Sequence, residues 1–343
     1  MNLRLKNILY TLGLFSAMFL VWHYRQGKTA EMIWVTGNTM GPITYNVKYF
    51  DDHKRNFKYS IDSVLQVFNQ SLNTYLPESE ISQFNRLKSY TFNLPYFYEA
   101  LSVSNKIYQQ TNGAFDPSVG PLINTWGFGP ETGFLPDSSY IDSVKQFVGF
   151  NRLKFNQDSV VKKDARVQLS FSASAKGYGV DVVANFLEAS EVSNYFVEIG
   201  GEVRARGINK TTEKLWTVGI LHPDSDEINQ FFHSIISLDN KGMATSGNYF
   251  NYHVIDGVKY GHTIDPVSGY PVEHNLLSAT VIAKTCHDAD ALATAFMVMG
   301  TDSAIDFLKK HQEYDGYLLF NNEEGELSVY SSTDITDRIK TVK

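Results

Sequence analysis

Helix-like and strand-like segments alternate unevenly along this chain, and that order restricts its fold more than any other feature. Runs rich in aromatic and β-branched residues predict strands at 44–50, 195–199, 216–221, 233–238 and 279–283. Apolar residues at helical spacing predict helices at 54–72, 95–111, 176–189, 287–299 and 302–311. The segments lack the regular strand–helix–strand repeat of a doubly wound sheet, and the sequence therefore predicts an α+β fold.

Composition excludes several classes of protein. Of 343 residues, 43% are hydrophobic and 20% are charged, which is typical of a folded protein. Glycine and proline are spread along the chain, and this predicts one compact unit over residues 29–343. With 37 acidic and 30 basic residues, the chain lacks the basic excess typical of nucleic-acid binding. Its single cysteine, Cys286, excludes an internal disulfide and a cysteine-rich zinc site, so oxygen or histidine would be the main ligands of any metal.

The amino-terminal segment has the pattern of an export signal. Two basic residues precede 15 uncharged residues at 8–22, and basic residues follow them. This run is shorter than the roughly 20 residues that usually span a bilayer, which favours a signal peptide. Bulky Trp22 and Tyr24 occupy the place of a cleavage site, which favours retention as an anchor. We interpret residues 1–28 as a signal peptide or a signal anchor, with the rest of the chain outside the cytoplasm.

The segment 285–300 predicts a packed helix with two oxygen-bearing side chains near its start. Asp290 and Thr294 are four residues apart, so their carboxylate and hydroxyl lie on one helix face. Two such oxygens suit Mg²⁺. Thr285 followed by Asp288 also matches a capping box. The negative charge of Asp290 near the start of the helix would also interact favourably with the helix dipole. On spacing alone, the capping role is favoured over the metal site.

The segment 261–274 predicts a loop after a strand, and two roles remain open for it. His262 can be neutral at physiological pH and accept a proton, which is the chemistry of a general base. Asp265 before Pro266 is also ordinary turn chemistry, so the same residues fit a structural turn.

Two further segments have features that could serve a ligand. Segment 111–130 predicts an ordered loop, either closing over a planar ligand with Phe115 or Trp126 or lying on the surface. Lys176 stands at the opening of a helix, where its charge opposes the macrodipole. An anionic ligand would explain that position, and a solvated lysine is the commoner case.

The order of these segments identifies a family. From about Gly37 to near the carboxyl end, the chain resembles the FAD:protein FMN transferase family, usually called ApbE. The resemblance rests on GNTMGPITYNV, LNTYLPESEISQFN, TNGAFDPSVGPLINTWGFGP, SASAKGYGVD, YFVEIGGEVRARG, ATSGNYFNY, HTIDPVSGYPVEH and CHDADALATAFMVMG. It implies a single mixed α/β unit of the ApbE (T-fold-like) type, preceded by the N-terminal hydrophobic segment.

The resemblance implies an activity. Members cleave FAD with Mg²⁺, attach the FMN half by a phosphoester bond to a threonine of an acceptor protein, and release AMP. The implied acceptors are flavoprotein subunits of membrane redox complexes, and the implied location is the periplasmic side of the bacterial inner membrane. Two alternatives stay open: a Mg²⁺-dependent FAD pyrophosphatase, and a non-catalytic extracytoplasmic flavin-binding protein.

The resemblance also implies roles for individual residues. The metal would be held by the side chains of Asp290 and Thr294 and the carbonyl of Ala173. His262 would be the general base, with Asp265 as the second catalytic residue of its loop. The positions that match FAD-binding residues are Met40, Tyr75, Ala114, Phe115, Asp116, Ser170, Lys176 and Ile264. Ser170 stands where members commonly have an aspartate, so a charged contact to the nucleotide is expected to be weaker there. Pro42 stands where they usually have a threonine, which removes one backbone donor near the ligand.

Overall fold

The computed structural model describes residues 3–26, 31–128, 136–225, 229–247, 252–255, 258–261 and 263–342. The helices are α1 (Leu3–Gln26), α2 (Lys58–Leu72), α3 (Glu80–Arg86), α4 (Phe97–Gln110), α5 (Gly120–Thr125), α6 (Ser138–Lys145), α7 (Ala175–Ala189), α8 (Cys286–Met299) and α9 (Thr301–Lys310). Short 3₁₀ helices lie at Phe150–Arg152 and Thr333–Arg338. The strands are β1 (Met32–Thr39), β2 (Ile43–Phe50), β3 (Ser89–Thr91), β4 (Leu153–Phe155), β5 (Ser159–Lys162), β6 (Asn194–Ile199), β7 (Glu202–Arg206), β8 (Ile208–Asn209), β9 (Lys214–Leu221), β10 (Phe232–Leu238), β11 (Lys241–Gly247), β12 (Tyr252–Ile255), β13 (Val258–Gly261), β14 (Leu276–Ala283), β15 (Asp315–Asn321), β16 (Leu327–Ser331) and β17 (Ile339–Thr341).

An antiparallel sheet in the order β1-β2-β6-β7-β11-β14-β15-β16 forms the centre of the fold. Val47 of β2 lies opposite Val35 of β1 and opposite Val197 of β6, which fixes the register of these strands. In the middle of the sheet, Val281 of β14 packs on the helical side and its neighbour Ile282 packs on the other side. Because successive side chains of a strand point to opposite faces, this near-continuous apolar strand is covered by other elements on both of its faces.

Helices α2, α7 and α8 cover one face of the central sheet. Val183 and Leu187 of α7 share a buried cluster with Val47. The α8 side chains Ala289 and Phe296 are buried with other residues of the central sheet. The alanines of α8 are small enough to let the helix lie close to β11 and β14.

Smaller layers complete the fold around the central sheet. The sheet β17-β10-β9-β8 covers the other face, where Trp216 and Ile236 pack against Val203 and Met243 of the central sheet. A third cluster, rich in aromatic rings, joins α3 and α4 to the small sheet β3-β5-β4. The predicted α+β arrangement is confirmed.

The predicted segment boundaries differ from the observed ones mainly where turn chemistry competes with helix formation. Helix α2 starts at Lys58 rather than at 54, because Lys54 has φ +55° and the carboxylate of Asp51 accepts the amide of Arg55 at 2.7 Å. The segment 111–130, predicted as a loop, contains the short helix α5. At the start of α8, by contrast, the amide of Asp288 donates to Thr285 Oγ1 at 3.2 Å, and Thr285 therefore caps the helix as predicted.

Residues 3–26 form the helix α1, which includes the apolar run described above. Among the described residues, no helix combines the length and the apolar character needed to cross a membrane. The interpretation of residues 1–28 as a signal peptide or anchor, the division of the chain at that point and the extracytoplasmic location stay predictions.

His287, in the first turn of α8, makes folding sensitive to acid. Its ring stacks on Tyr178 with centroids 4.4 Å apart and planes inclined by 8°. Burial, and to a lesser degree the charge of Lys106, lower the pKa of His287 to about 3. In the unfolded chain its pKa is about 6.5. Below about pH 6.5 the unfolded state therefore binds a proton that the folded state binds only near pH 3, so stability falls as the pH falls through this interval.

We expect the wild-type chain to lose about 1 to 3 kcal/mol more unfolding free energy than His287→Gln between pH 6.5 and pH 4.5. Urea denaturation of both proteins at the two pH values gives the two losses. The carboxylates titrate in both proteins, so their contribution cancels in the difference. Equal losses in the two proteins would contradict the assignment of this acid sensitivity to His287.

Candidate active site

Two adjoining cavities lie at the amino-terminal end of α7. The first, which we call the Thr294 cavity, has a volume of about 330 Å³. The second, the Met40 cavity, has a volume of about 120 Å³ and is mostly apolar. Ser172 and Lys176 line both cavities, so a ligand long enough to occupy both would pass these two side chains.

The cavities bring together most of the residues singled out from the sequence. The Thr294 cavity is lined by Ala114, Phe115, Asp116, Ser170, Ala173, Lys176, Ile264, Asp290 and Thr294, among others. The Met40 cavity is lined by Met40, Tyr75 and Lys176, among others. The roles predicted for these residues stay predictions, but their side chains share one connected region of the surface.

Helices α7 and α8 hold this region in place by capping each other. Asp290 of α8 accepts the amide of Gly177, in the first turn of α7, at 2.8 Å. In return, the Asp181 carboxylate of α7 accepts the first amides of α8, from Cys286 at 3.1 Å and from His287 at 2.8 Å. The first amides of a helix have no partner within the helix, so each buried carboxylate satisfies donors that would otherwise be unpaired.

Gly177 is required by this contact. A Cβ atom at position 177 would lie 2.3 Å from the carbonyl oxygen of Cys286 and 2.6 Å from Cβ of Asp290. Atoms do not approach so closely, and only glycine allows the helices to come near enough for the Asp290 hydrogen bond. Gly177 therefore sets how closely α8, and with it the Asp290 carboxylate, approaches α7.

The Asp290 carboxylate is buried beside charged neighbours. Burial raises its pKa, while the charge of Lys176 and the Gly177 hydrogen bond oppose that rise. Only Oδ2 accepts a hydrogen bond within the described part of the chain, and the side chain lines the Thr294 cavity. The site thus has a carboxylate oxygen that is not occupied by a described protein donor.

Three further residues that line the Thr294 cavity with Asp290 have oxygen atoms close to one another. Thr294 Oγ1 donates to the carbonyl of Ala173 at 3.2 Å and lies 3.3 Å from Ser246 Oγ. In an octahedral Mg²⁺ site, neighbouring oxygens at about 2.1 Å from the ion are about 3.0 Å apart. The Thr294–Ala173 spacing is close to that value, and a carboxylate, a hydroxyl and a carbonyl are oxygen ligands that Mg²⁺ prefers. The described residues contain no group of three or more His, Cys, Asp or Glu side chains suited to a metal, so a metal here would depend on this mixed oxygen set.

Lys176 is partly buried, and the protein supplies it with an ion-pair partner that the sequence analysis missed. Its Nζ lies 2.6 Å from Oε1 of Glu202, whose side chain is only 2% exposed. Burial, followed by the charge of Asp290, raises the pKa of Glu202, and Lys176 opposes that rise. Glu202 Oε2 has no hydrogen-bond partner in the described structure. Glu202 lies in the YFVEIGGEVRARG string, and no local spacing in that string indicates its contact with Lys176.

The aromatic wall of the Thr294 cavity comes from the segment that precedes α5. Phe115 is buried and lines the cavity, as proposed for a planar ligand. Asp116 also lines it, but its carboxylate accepts the amide and hydroxyl of Ser118 and the amide of Phe150. Burial raises the pKa of Asp116. The carboxylate therefore fixes the shape of the segment that presents Phe115 and Ala114.

Trp126 does not line either cavity and instead anchors the loop that follows β13. Its Nε1 donates to the carbonyl of Gly269 at 2.9 Å. Within that loop, the Asp265 carboxylate accepts the amides of Val267 at 2.9 Å and Ser268 at 3.1 Å. These contacts are those of a turn former, and Asp265 is not among the residues that line the two cavities.

The structure describes only one of the two predicted catalytic residues. His262 lies outside the described residues, and its role stays a prediction. The contacts of Asp265 favour a positioning role in the turn, while its neighbours Thr263 and Ile264 reach the Thr294 cavity. A catalytic role for Asp265 also stays a prediction.

Comparison with known proteins identifies the group to which the fold and these residues belong. The model of the ApbE family matches residues 40–318. The chain belongs to the ApbE family. This confirms the resemblance described from the sequence, and the matched region contains every residue assigned above to the two cavities.

Individual relatives of the ApbE family agree. A Vibrio cholerae protein named FAD:protein FMN transferase is 36% identical over 297 residues, covering 83% of this chain and 86% of that protein. A Haemophilus influenzae protein of the same name is 35% identical, covering 89% and 91% respectively. The structure of the flavin transferase ApbE from Vibrio cholerae superposes with a TM-score of 0.81 at 33% identity, over 90% of this chain and 99% of that one. The apo structure of the Pseudomonas stutzeri flavinyl transferase ApbE gives a TM-score of 0.78 at 32% identity, over 89% and 95%.

We expect Gly177→Ala to lower the unfolding free energy by at least about 1 to 3 kcal/mol, because the added methyl group forces α7 and α8 apart. Gly120→Ala is the matched control: its Cβ would meet its nearest atom, Ser170 Cβ, at 3.7 Å, an ordinary contact. That variant should stay within about 0.5 kcal/mol of wild type. Urea denaturation measures both effects. If both variants unfold at the wild-type midpoint, the close approach at Gly177 does not restrict the helices as described.

Proposed function

We propose that this chain is a FAD:protein FMN transferase that uses Mg²⁺. The main observation behind the proposal is that Asp290, Thr294 and Ala173, which have oxygen ligands to offer, line one cavity. A second, mostly apolar cavity adjoins it. The name shared by the Vibrio cholerae and Haemophilus influenzae relatives supports the same activity.

The two connected cavities suit a dinucleotide. FAD has two nucleotide halves joined by a diphosphate, and Lys176 lines both cavities. We propose that the ammonium binds the diphosphate there, with Glu202 holding its position through the 2.6 Å contact. Phe115 in one cavity and Met40 and Tyr75 in the other then provide apolar contacts for the two halves.

Asp290, Thr294 and Ala173 would hold the metal, and their oxygen set fits Mg²⁺ as described above. When bound, Mg²⁺ neutralises charge that develops on phosphate oxygens during phosphoryl transfer. Asp290 is held in place for this by Gly177 and by the packing of α7 on α8. Because its carboxylate is fixed before ligands bind, little reorganisation is needed at the moment of reaction.

The proposed reaction forms one bond and breaks one. The acceptor threonine Oγ bonds to the phosphorus of the FMN half, the bond from that phosphorus to the bridging oxygen breaks, and AMP leaves. We propose that His262 takes the threonine proton, a contribution typically worth about 10² to 10⁴ in rate. The residues that follow it are anchored by the contacts of Trp126 and Asp265, and this supports the assignment because a base must be held within reach of the proton.

The decisive experiment incubates the full-length chain with FAD, Mg²⁺ and an acceptor domain with an exposed threonine. Intact-mass measurement should show an added FMN phosphate on the acceptor and no addition when its threonine is replaced by valine. Asp290→Asn should lower the rate at least about 10²-fold, and more than loss of His262 does, because Asp290 affects both orientation and charge. Asp306→Asn on the exposed face of α9 is the matched control and should leave the rate unchanged.

Other products would overturn the transferase proposal. Free FMN and AMP with an unmodified acceptor would mean that water is the nucleophile and that the chain is a pyrophosphatase. Unchanged FAD would mean a flavin-binding protein without turnover.

We further propose that the chain acts outside the cytoplasm, on acceptor subunits of membrane redox complexes. The export pattern of residues 1–28 supports the location, and an anchor there would keep the enzyme beside membrane-bound acceptors. Alkaline phosphatase, which folds only in an oxidising compartment, should be active when fused after residue 28. An inactive but intact fusion would contradict the proposed location.

A further inference from the structure

An exposed apolar strip lies where β1 forms one edge of the central sheet. Val35 of β1 packs on the helical side, so its neighbour Trp34 points to the opposite face, on which the sheet β17-β10-β9-β8 lies. Trp34 is nevertheless 60% exposed, and Met32, two residues earlier on the same face, is 36% exposed. The sheet β17-β10-β9-β8 therefore leaves this edge uncovered.

The neighbouring strand places a cation beside the exposed tryptophan. Lys48 of β2 lies opposite Trp34, and its Nζ lies 5.1 Å from the centre of the Trp34 ring. The same ammonium lies 5.9 Å from the ring of Phe196 on β6, and no described carboxylate forms an ion pair with it. We call Met32, Trp34 and Lys48 the Trp34 strip.

The chemistry of the Trp34 strip suits the headgroup layer of a membrane. A tryptophan ring has a large apolar body and one polar N–H, and such rings are enriched where lipid meets water. A lysine without a carboxylate partner is attracted to the phosphates of anionic lipids. The strip presents both groups side by side at the edge of the fold.

Helix α1 brings the Trp34 strip close to lipid. Its side chains Leu14, Phe15 and Leu20 are 63–65% exposed, and their directions around the helix axis are at least about 100° apart. A helix that is apolar on all sides requires an apolar environment. Because α1 ends at Gln26 and β1 begins at Met32, an extended connection spans at most about 22 Å. The strip therefore stays near any surface that holds α1.

We propose that the Trp34 strip rests on the lipid headgroups of the membrane that holds α1. The Trp34 ring enters the headgroup layer, and the Lys48 ammonium pairs with the phosphate of an anionic lipid. This contact depends on the location proposed above, with residues 1–28 retained as an anchor.

The membrane contact determines where the Met40 cavity lies. Met32 and Met40 stand at opposite ends of β1, and a strand rises about 3.4 Å per residue, so the two residues are at most about 27 Å apart. Fixing β1 on the headgroups would therefore hold the cavity at a set height above the lipid. An acceptor subunit in the same membrane would meet it there.

Quenching of tryptophan fluorescence by lipid tests the contact. The full-length chain is reconstituted into vesicles of phosphatidylcholine and phosphatidylglycerol, with or without bromine on acyl carbons near the headgroups. In Trp22→Phe, three tryptophans remain, and two of them, Trp126 and Trp216, are only 8% and 5% exposed. Brominated lipid should quench Trp22→Phe at least about threefold more than the double variant Trp22→Phe/Trp34→Phe, because only Trp34 reaches the lipid.

A relocated tryptophan is the matched control. Val329→Trp, added to the double variant, places a ring on β16 at the opposite edge of the central sheet, where Val329 is 43% exposed. This ring should be quenched no more than the double variant itself. Equal quenching at positions 34 and 329 would overturn the proposal, since lipid would then contact the fold without preference for the Trp34 strip.

The wild-type chain separates the strip from the location on which it depends. Stronger quenching of wild type than of Trp22→Phe would show that α1 lies in lipid. If Trp22→Phe and the double variant were then quenched equally, the strip proposal would be overturned and the location would stand. Absence of quenching in every variant would overturn both. A Trp34 ring covered by α1 or by a second copy of the chain would also escape the lipid quencher, which counts against the proposal. No FAD or acceptor is present, so the transferase assay is independent of these results.

Discussion

The exchange of carboxylates between α7 and α8 is the interaction on which the rest of the site depends. Asp290 caps α7 through Gly177, and Asp181 caps α8 through Cys286 and His287. Hydrogen bonds to charged groups in such positions are worth about 1.5 to 3 kcal/mol each. The same contacts set both the distance between the helices and the position of the carboxylate in the Thr294 cavity, so stability and site geometry are coupled.

This arrangement also explains how an acidic side chain is tolerated in the interior. Burial raises the pKa of Asp181 and of Asp290, and without partners each carboxylate would favour the neutral form. Arg204 offsets the cost for Asp181, and Lys176 does so for Asp290. Each acid therefore has two kinds of support, helix amides and a cation, and both come from secondary-structure elements rather than mobile loops.

Local patterns in the sequence predicted the main helices and strands of the fold and part of the site. The spacing of Asp290 and Thr294 on one helix face follows from 3.6 residues per turn, and the structure brings both into one cavity. The Lys176–Glu202 pair joins residues 26 positions apart on different elements, and no local period indicates it. The same is true of Trp126 and Gly269, which are 143 positions apart. Contacts of this kind depend on how the chain returns on itself, which residue spacing does not encode.

Because Lys176 and Ser172 line both cavities, the two halves of a dinucleotide would be joined at the only side chains that the two described cavities have in common. Breaking the diphosphate would turn one ligand held at two places into two ligands, each held at one. The affinity that comes from linkage is lost at that moment, since neither product gains from the binding of the other. Departure of the nucleotide that is not transferred would then follow from the bond cleavage itself, with no need for a moving gate.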